Sequence, residues 1–178
     1  MTDEFGWGSH SACGETSNAC LVANAKNQTP TYAQAQAICA RDRARGWTDS
    51  GRDSQTISEI YADIQTYEPT LAGRAKLYPY YEWYGTDALA AVSKSLIGST
   101  GGILIELGEA YKLPHMEAGV NYHFCVLGAY DDSASENRHF YLLNPDRVPR
   151  PAAPYGGDWV TIYDICNAKL CGMIRLFS

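Results

Sequence analysis

Ser11-Ala12-Cys13-Gly14-Glu15-Thr16-Ser17-Asn18-Ala19-Cys20 is the stretch on which the reading of this chain turns. A thiol and a glycine lead into helix-compatible residues with an apolar tail, Leu21, Val22, Ala23 and Ala25. That order predicts a helix from Cys13 to about residue 26, with the thiol in its first turn. The unsatisfied N–H groups and the dipole at a helix start favour a thiolate over a thiol. A free cysteine is more commonly a small buried hydrophobe. The thiol therefore needs partners before it implies chemistry.

Those partners stand in the far half of the chain. Asn121-Tyr122-His123-Phe124-Cys125-Val126-Leu127-Gly128-Ala129-Tyr130-Asp131 predicts a strand that starts at a histidine. His123, Cys125 and Leu127 share one face of it at period two. The polar stretch from Asp131 to Asn137 predicts a hairpin, and His139 to Leu143 a strand returning antiparallel. The return brings Asn144, with Asp146 two residues on, back toward His123. Cysteine at a helix start, histidine at a strand start and a polar residue ending the next strand are the parts of a Cys-His-Asn/Asp nucleophilic site.

Between these ends the first half reads as helical. Thr31 and Gln34 form a capping-box signature for a second helix running to Arg45, where Gly46 supplies a left-handed stop. Its Arg41-Asp42-Arg43-Ala44-Arg45 segment reads as a solvated face, with contact to an acidic substrate as the sharper alternative. Thr56 and Glu59 cap a third helix with Ile57, Ile60, Tyr61 and Ile64 on one stripe. A crowded aromatic run follows at Tyr78, Tyr80, Tyr81, Trp83 and Tyr84. Dense aromatics are usually packing, but Trp83 and Tyr84 are the candidates for a substrate-cleft wall. A helix from Thr86, with Leu89, Val92 and Leu96 inward, ends near Gly98. A β-branched strand follows at Ile103–Leu107. Strands are expected again at 159–163 and 172–177, with a helical turn or two between. Helices first and strands after is an α+β order.

Composition bounds the function classes. At 178 residues the chain is one domain by size, and 46% hydrophobic content suits a globular fold with neither disorder nor a membrane span. A net charge of −6 without a Lys/Arg run argues against a nucleic-acid surface. The start, Met1-Thr2-Asp3-Glu4-Phe5, lacks the basic-then-apolar pattern of a secretory signal, so synthesis in a cytoplasm is expected. Six cysteines with no Cys-x-x-Cys do not make a disulfide scaffold. Cys20, Cys39 and Cys125 read as core residues, and a Cys166–Cys171 bridge stays open. No metal-ligand spacing and no phosphate-cradling glycine loop is present, so neither metal nor cofactor is expected.

The residues around Ala12-Cys13-Gly14, His123-Phe124-Cys125-Val126-Leu127-Gly128-Ala129-Tyr130-Asp131 and Tyr141-Leu142-Leu143-Asn144-Pro145 resemble the papain-like cysteine peptidase superfamily. They look most like its bacteriocin-processing (double-glycine-type) branch. The general organisation is also similar to the N-terminal peptidase domains of bacteriophage endolysins, particularly those of actinobacterial phages. The resemblance implies one papain-like domain over residues 1–178, N-terminal helices packed on a C-terminal antiparallel sheet. It implies Cys13 as nucleophile, His123 as base and Asn144 or Asp146 as the residue orienting His123. The bacteriocin-processing branch usually has Asp where this chain has Asn144, while papain-like enzymes proper use Asn. The family also places Gln six residues before the cysteine, where this chain has Trp7. The second oxyanion donor would then come from Ser9, His10, Ser11 or the Trp7 indole, with His10 the substrate-side candidate. The implied partners are peptides, as a lysin the stem or cross-bridge peptides of peptidoglycan, cut at the cell wall. The alternatives are a peptidase or transglutaminase-like effector acting on protein or leader peptides, and an inactive module that only binds peptide.

Overall fold

In the computed structural model the described residues are 12–46, 55–78, 86–114, 116, 119–133, 139–145 and 156–177. They fold as α+β, with helices on both faces of a six-stranded antiparallel sheet. In chain order come α1 (Cys13–Ala25), α2 (Tyr32–Arg45), α3 (Ile57–Tyr67), α4 (Pro69–Ala72), β1 (Ala75–Tyr78) and α5 (Thr86–Thr100). Then follow β2 (Ile103–Leu107), β3 (His123–Tyr130), β4 (Phe140–Asn144), β5 (Gly156–Val160), α6 (Ile162–Asn167) and β6 (Leu170–Leu176). The strand order is β1-β6-β2-β3-β4-β5.

Period-two alternation splits the strand side chains between two cores. Leu104, Phe124, Val126, Leu143, Ile174 and Leu176 face α1 and α3, meeting Cys20, Leu21, Ile60 and Ile64. Ile103, Ile105, Leu107, Cys125, Leu127, Leu142 and Met173 face the other way, toward Leu89 of α5 and Ile165 of α6. Helices therefore cover the sheet on both sides, with the N-terminal helices on one face only. A third, smaller cluster joins Ala19 of α1 to Ala35, Ile38 and Cys39 of α2. Helix α1 is thus enclosed between the sheet and α2, and Cys13 through Ala23 are all buried. Each fully buried leucine or isoleucine there contributes roughly 2 kcal/mol from apolar burial.

Enclosure of α1 also buries its polar side chains, and each needs a partner. Ser17 Oγ donates to the Phe124 carbonyl at 2.9 Å, tying α1 to β3. Asn18 Nδ2 donates to Asp63 Oδ2 at 3.1 Å, and the Gln55 N–H reaches Glu15 Oε1 at 3.2 Å. Asn24 Nδ2 donates to the Gly101 and Gly128 carbonyls. The α5–β2 connection passes so close to the end of α1 that a Cβ on Gly101 would come within 2.6 Å of the Ala25 Cα.

Several expected boundaries hold and others move. Both capping boxes form, at Thr31/Gln34 and Thr56/Glu59, and Gly46 closes α2 at φ 69°. Helix α5 runs on to Thr100. Ala75–Tyr78, which leads into the aromatic run, is an edge strand paired with β6. The strand expected at 159–163 lies at 156–160 instead, because Thr161 starts a helix. Its Oγ1 accepts from the Asp164 N–H at 3.0 Å while Asp164 Oδ2 accepts from the Thr161 N–H at 2.8 Å. That reciprocal cap overrides the β-branched and aromatic character of Ile162 and Tyr163.

Arg41 and Arg45 are not the solvated face their spacing suggested. Arg41 holds Asp63 through Nε at 3.2 Å and Nη2 at 2.7 Å, and Arg45 Nη1 reaches it at 3.3 Å. Both guanidinium groups lie over the Tyr67 ring. Neither is free to meet an acidic substrate. Cys166 and Cys171 are free thiols.

Candidate active site

Three side chains converge at one end of the sheet. Cys13 is the first residue of α1, His123 the first of β3 and Asn144 the last of β4. All three are buried. Leu127 stands opposite Leu142 across β3 and β4, so alternation puts His123, Cys125 and Asn144 on the same face. The Cys13 thiol is hydrogen-bonded to the His123 imidazole and favours its charged form. His123 Nε2 lies 2.8 Å from Asn144 Oδ1.

The Asn144 amide is oriented by a neighbour that the sequence did not flag. Its Nδ2 donates to the Met116 sulphur at 2.9 Å, which leaves Oδ1 for the histidine. An amide oxygen only accepts, so Nε2 carries a proton. The basic nitrogen of a neutral His123 is then Nδ1. Burial presses the ring toward its neutral form, but the Cys125 and Cys13 sulphurs outweigh it and hold the pKa well above 6.5. A charged imidazole beside a thiol at a helix start is the arrangement that generates a nucleophilic thiolate.

The start of helix α1 lacks a side-chain cap. Its N-cap is Ala12, which has no side-chain acceptor to cap the first turn, and Cys13 follows directly. The Cys13 N–H is one of the first-turn donors that the helix itself does not satisfy. His10, Trp83, Tyr84 and Asp146 lie outside the described residues, as do Trp7, Ser9 and Ser11. Tyr122, immediately before His123, is the most exposed large apolar side chain among the described residues, at 74%. His139 instead packs in its hairpin, with Nδ1 2.8 Å from the Asp131 carbonyl and its ring against Tyr130.

The other cysteines differ from Cys13 in their surroundings. Burial pushes the Cys20 and Cys39 thiols far above their ordinary range. Burial also raises Cys166, to about 11, and Cys171. Cys125, read from the sequence as core, is fully buried but hydrogen-bonded to His123. Among the described residues no three His, Cys, Asp or Glu side chains are placed to hold a metal ion, and no helix is long and apolar enough to cross a membrane.

A first prediction concerns the orienting residue. Asn144→Ala should let the imidazole turn and slow alkylation of Cys13 by iodoacetamide about a hundredfold. Peptide mapping by mass spectrometry would identify the labelled cysteine. Wild-type rates in Asn144→Ala, with slowing in Asp146→Ala, would give the orienting role to Asp146. No family model matches the chain, and no curated protein matches it.

Proposed function

We propose that this chain is a cysteine peptidase of papain-like type. The observation carrying the reading is the hydrogen-bonded series Cys13, His123, Asn144, assembled from a helix start and two strand ends. His123 Nδ1 takes the Cys13 proton, and the thiolate adds to a peptide carbonyl to give a tetrahedral oxyanion beside the Cys13 N–H. The imidazolium protonates the departing amine, leaving a thioester. Water, activated by the neutral Nδ1, then releases the acid and restores the thiol. Asn144 keeps Nε2 protonated throughout, so that Nδ1 always faces the reaction.

The substrate class rests on the sequence resemblance, which favours the stem or cross-bridge peptides of peptidoglycan and a role as a phage lysin module. Purified actinobacterial peptidoglycan would be digested with the wild-type protein and with Cys13→Ala, and the released fragments read by mass spectrometry. New peptide termini from the wild type alone are the expected result. Release by neither protein would remove the cell-wall reading. Protein and leader peptides would then be the substrates to assay.

A further inference from the structure

The β1 edge of the sheet gathers positive charge on a chain whose net charge is −6. Lys76 stands directly opposite Arg175 across β1 and β6. The Phe177 N–H donates to the Arg74 carbonyl at 2.8 Å, which carries the same ladder further. Alternation then puts Arg74, Lys76 and Arg175 on one face of the sheet, together with Tyr78 and Phe177. Like charges directly opposite each other on a sheet repel. Among the described residues no carboxylate pairs with any of the three, although acidic side chains hold Lys26, Arg41, Arg45, Lys94 and Lys112. An edge lysine discourages pairing with another chain, but that accounts for Lys76 alone. Arg175 lies on β6, an interior strand.

The three side chains are also held in place. The Arg175 Cζ lies 5.0 Å from the Tyr78 ring centre and 5.2 Å from that of Phe177. Its Nε is buried without a hydrogen-bond partner. The Lys76 ammonium is 5.1 Å from the same Tyr78 ring. Arg74 donates through Nε to the Phe177 carbonyl at 2.6 Å. Cations fixed together in this way have already met much of the ordering cost of binding an anion.

We propose that Arg74, Lys76 and Arg175 form a binding site for a phosphate group, free or carried as a monoester. A phosphate monoester brings nearly two charges and three acceptor oxygens, against one charge and two oxygens for a carboxylate. It therefore offsets more of the repulsion and reaches donors from both strands. The site is remote from the thiol. Arg175 pairs with Ile103 at one end of β2, and His123 pairs with Leu107 at the other.

Thermal unfolding is followed as inorganic phosphate, glycerol 3-phosphate or acetate is added, with ionic strength held constant by chloride. The phosphate compounds should raise the midpoint along a saturating curve, and acetate should not. A rise with both assigns the phosphate group itself, and a rise with glycerol 3-phosphate alone assigns the monoester. Arg175→Gln should abolish the response. Lys76→Gln, at an exposed edge position that the fold does not need, should weaken the apparent affinity about tenfold. Lys112→Gln, whose lysine is paired with Glu109, should respond as the wild type does. No saturating response to either phosphate compound would overturn the proposal. So would an equal response to acetate, or an undiminished response in Lys76→Gln.

Discussion

At about pH 5.5 iodoacetamide should label wild-type protein at Cys13 almost exclusively, and His123→Ala should slow that reaction by about a hundredfold or more. Selectivity follows from what surrounds each thiol. Cys20, Cys39, Cys166 and Cys171 all have raised pKa values, with burial the leading cause, so each stays protonated in mild acid. Cys125 influences the same base from a mid-sheet position on β3, packed among apolar side chains and without a helix start beside it. Cys13 alone combines the base with a helix start. The alkaline side has its own sign. His123 holds its proton above the usual 6.5, so the thiolate–imidazolium pair persists past neutrality and is lost only as pH rises through that elevated value. Cys13→Ala should lose the label entirely. Equal labelling of Cys13 in the wild type and His123→Ala would show that the imidazole does not activate the thiol, and would leave a peptide-binding module as the better description.

The second large effect is on stability, and two neighbouring aspartates should show it with opposite signs. Asp63 sits at the centre of a buried cluster, accepting from Asn18, Arg41 and Arg45. Asp63→Ala strands two partly buried guanidinium groups together, at a cost of about 3 kcal/mol. Asp42 is as deeply buried, and Gln55 lies beside its carboxylate without making a hydrogen bond of ordinary geometry to either oxygen. Burial lifts its pKa from 3.8 to about 7, and the charge of Asp63 adds to this against weaker opposition from Gln55, Arg45 and Arg41. The folded state therefore binds a proton that the unfolded chain releases near its ordinary value. Stability falls as pH rises between those two values and then stays low. Asp42→Asn removes the titration and should stabilise the protein on the order of 2–4 kcal/mol at about pH 8, with little change near pH 4. Urea unfolding at both pH values reads the difference. Parallel pH curves for the two proteins would show that Asp42 is solvated or paired in the fold.

These features were legible in the sequence to different depths, for physical reasons. Helix starts were legible where the signal is local. Thr31 with Gln34 and Thr56 with Glu59 satisfy their caps within four residues, so no distant partner is needed. Thr161 with Asp164 has the same reciprocal cap but sits inside a strand-like run, so the local signals conflict there. β1 is four residues long, too short for period two to declare itself, and its identity comes from pairing with a strand almost a hundred residues away. At the site, the hairpin between β3 and β4 made the meeting of His123 and Asn144 foreseeable. The Met116 contact was not, because its loop has no pattern that places a sulphur. The buried polar flank of α1 was hidden for another reason. Glu15, Asn18 and Ser17 look like an exposed helical face until α2, α3 and β3 close over them.

The place of β6 in the sheet bears on how the protein comes into being on the ribosome. β6 lies between β1 and β2, and its Ile174 and Leu176 belong to the core beneath α1. The helix bearing Cys13 is synthesised first, but its supporting surface is finished only when Leu170–Leu176 has emerged from the exit tunnel. Pairings between such distant segments form late. A nascent chain therefore carries the thiol and, later, the imidazole without the scaffold that joins them. On the peptidase reading, thiol and imidazole cannot act together on the nascent chain until Leu170–Leu176 has emerged and paired between β1 and β2.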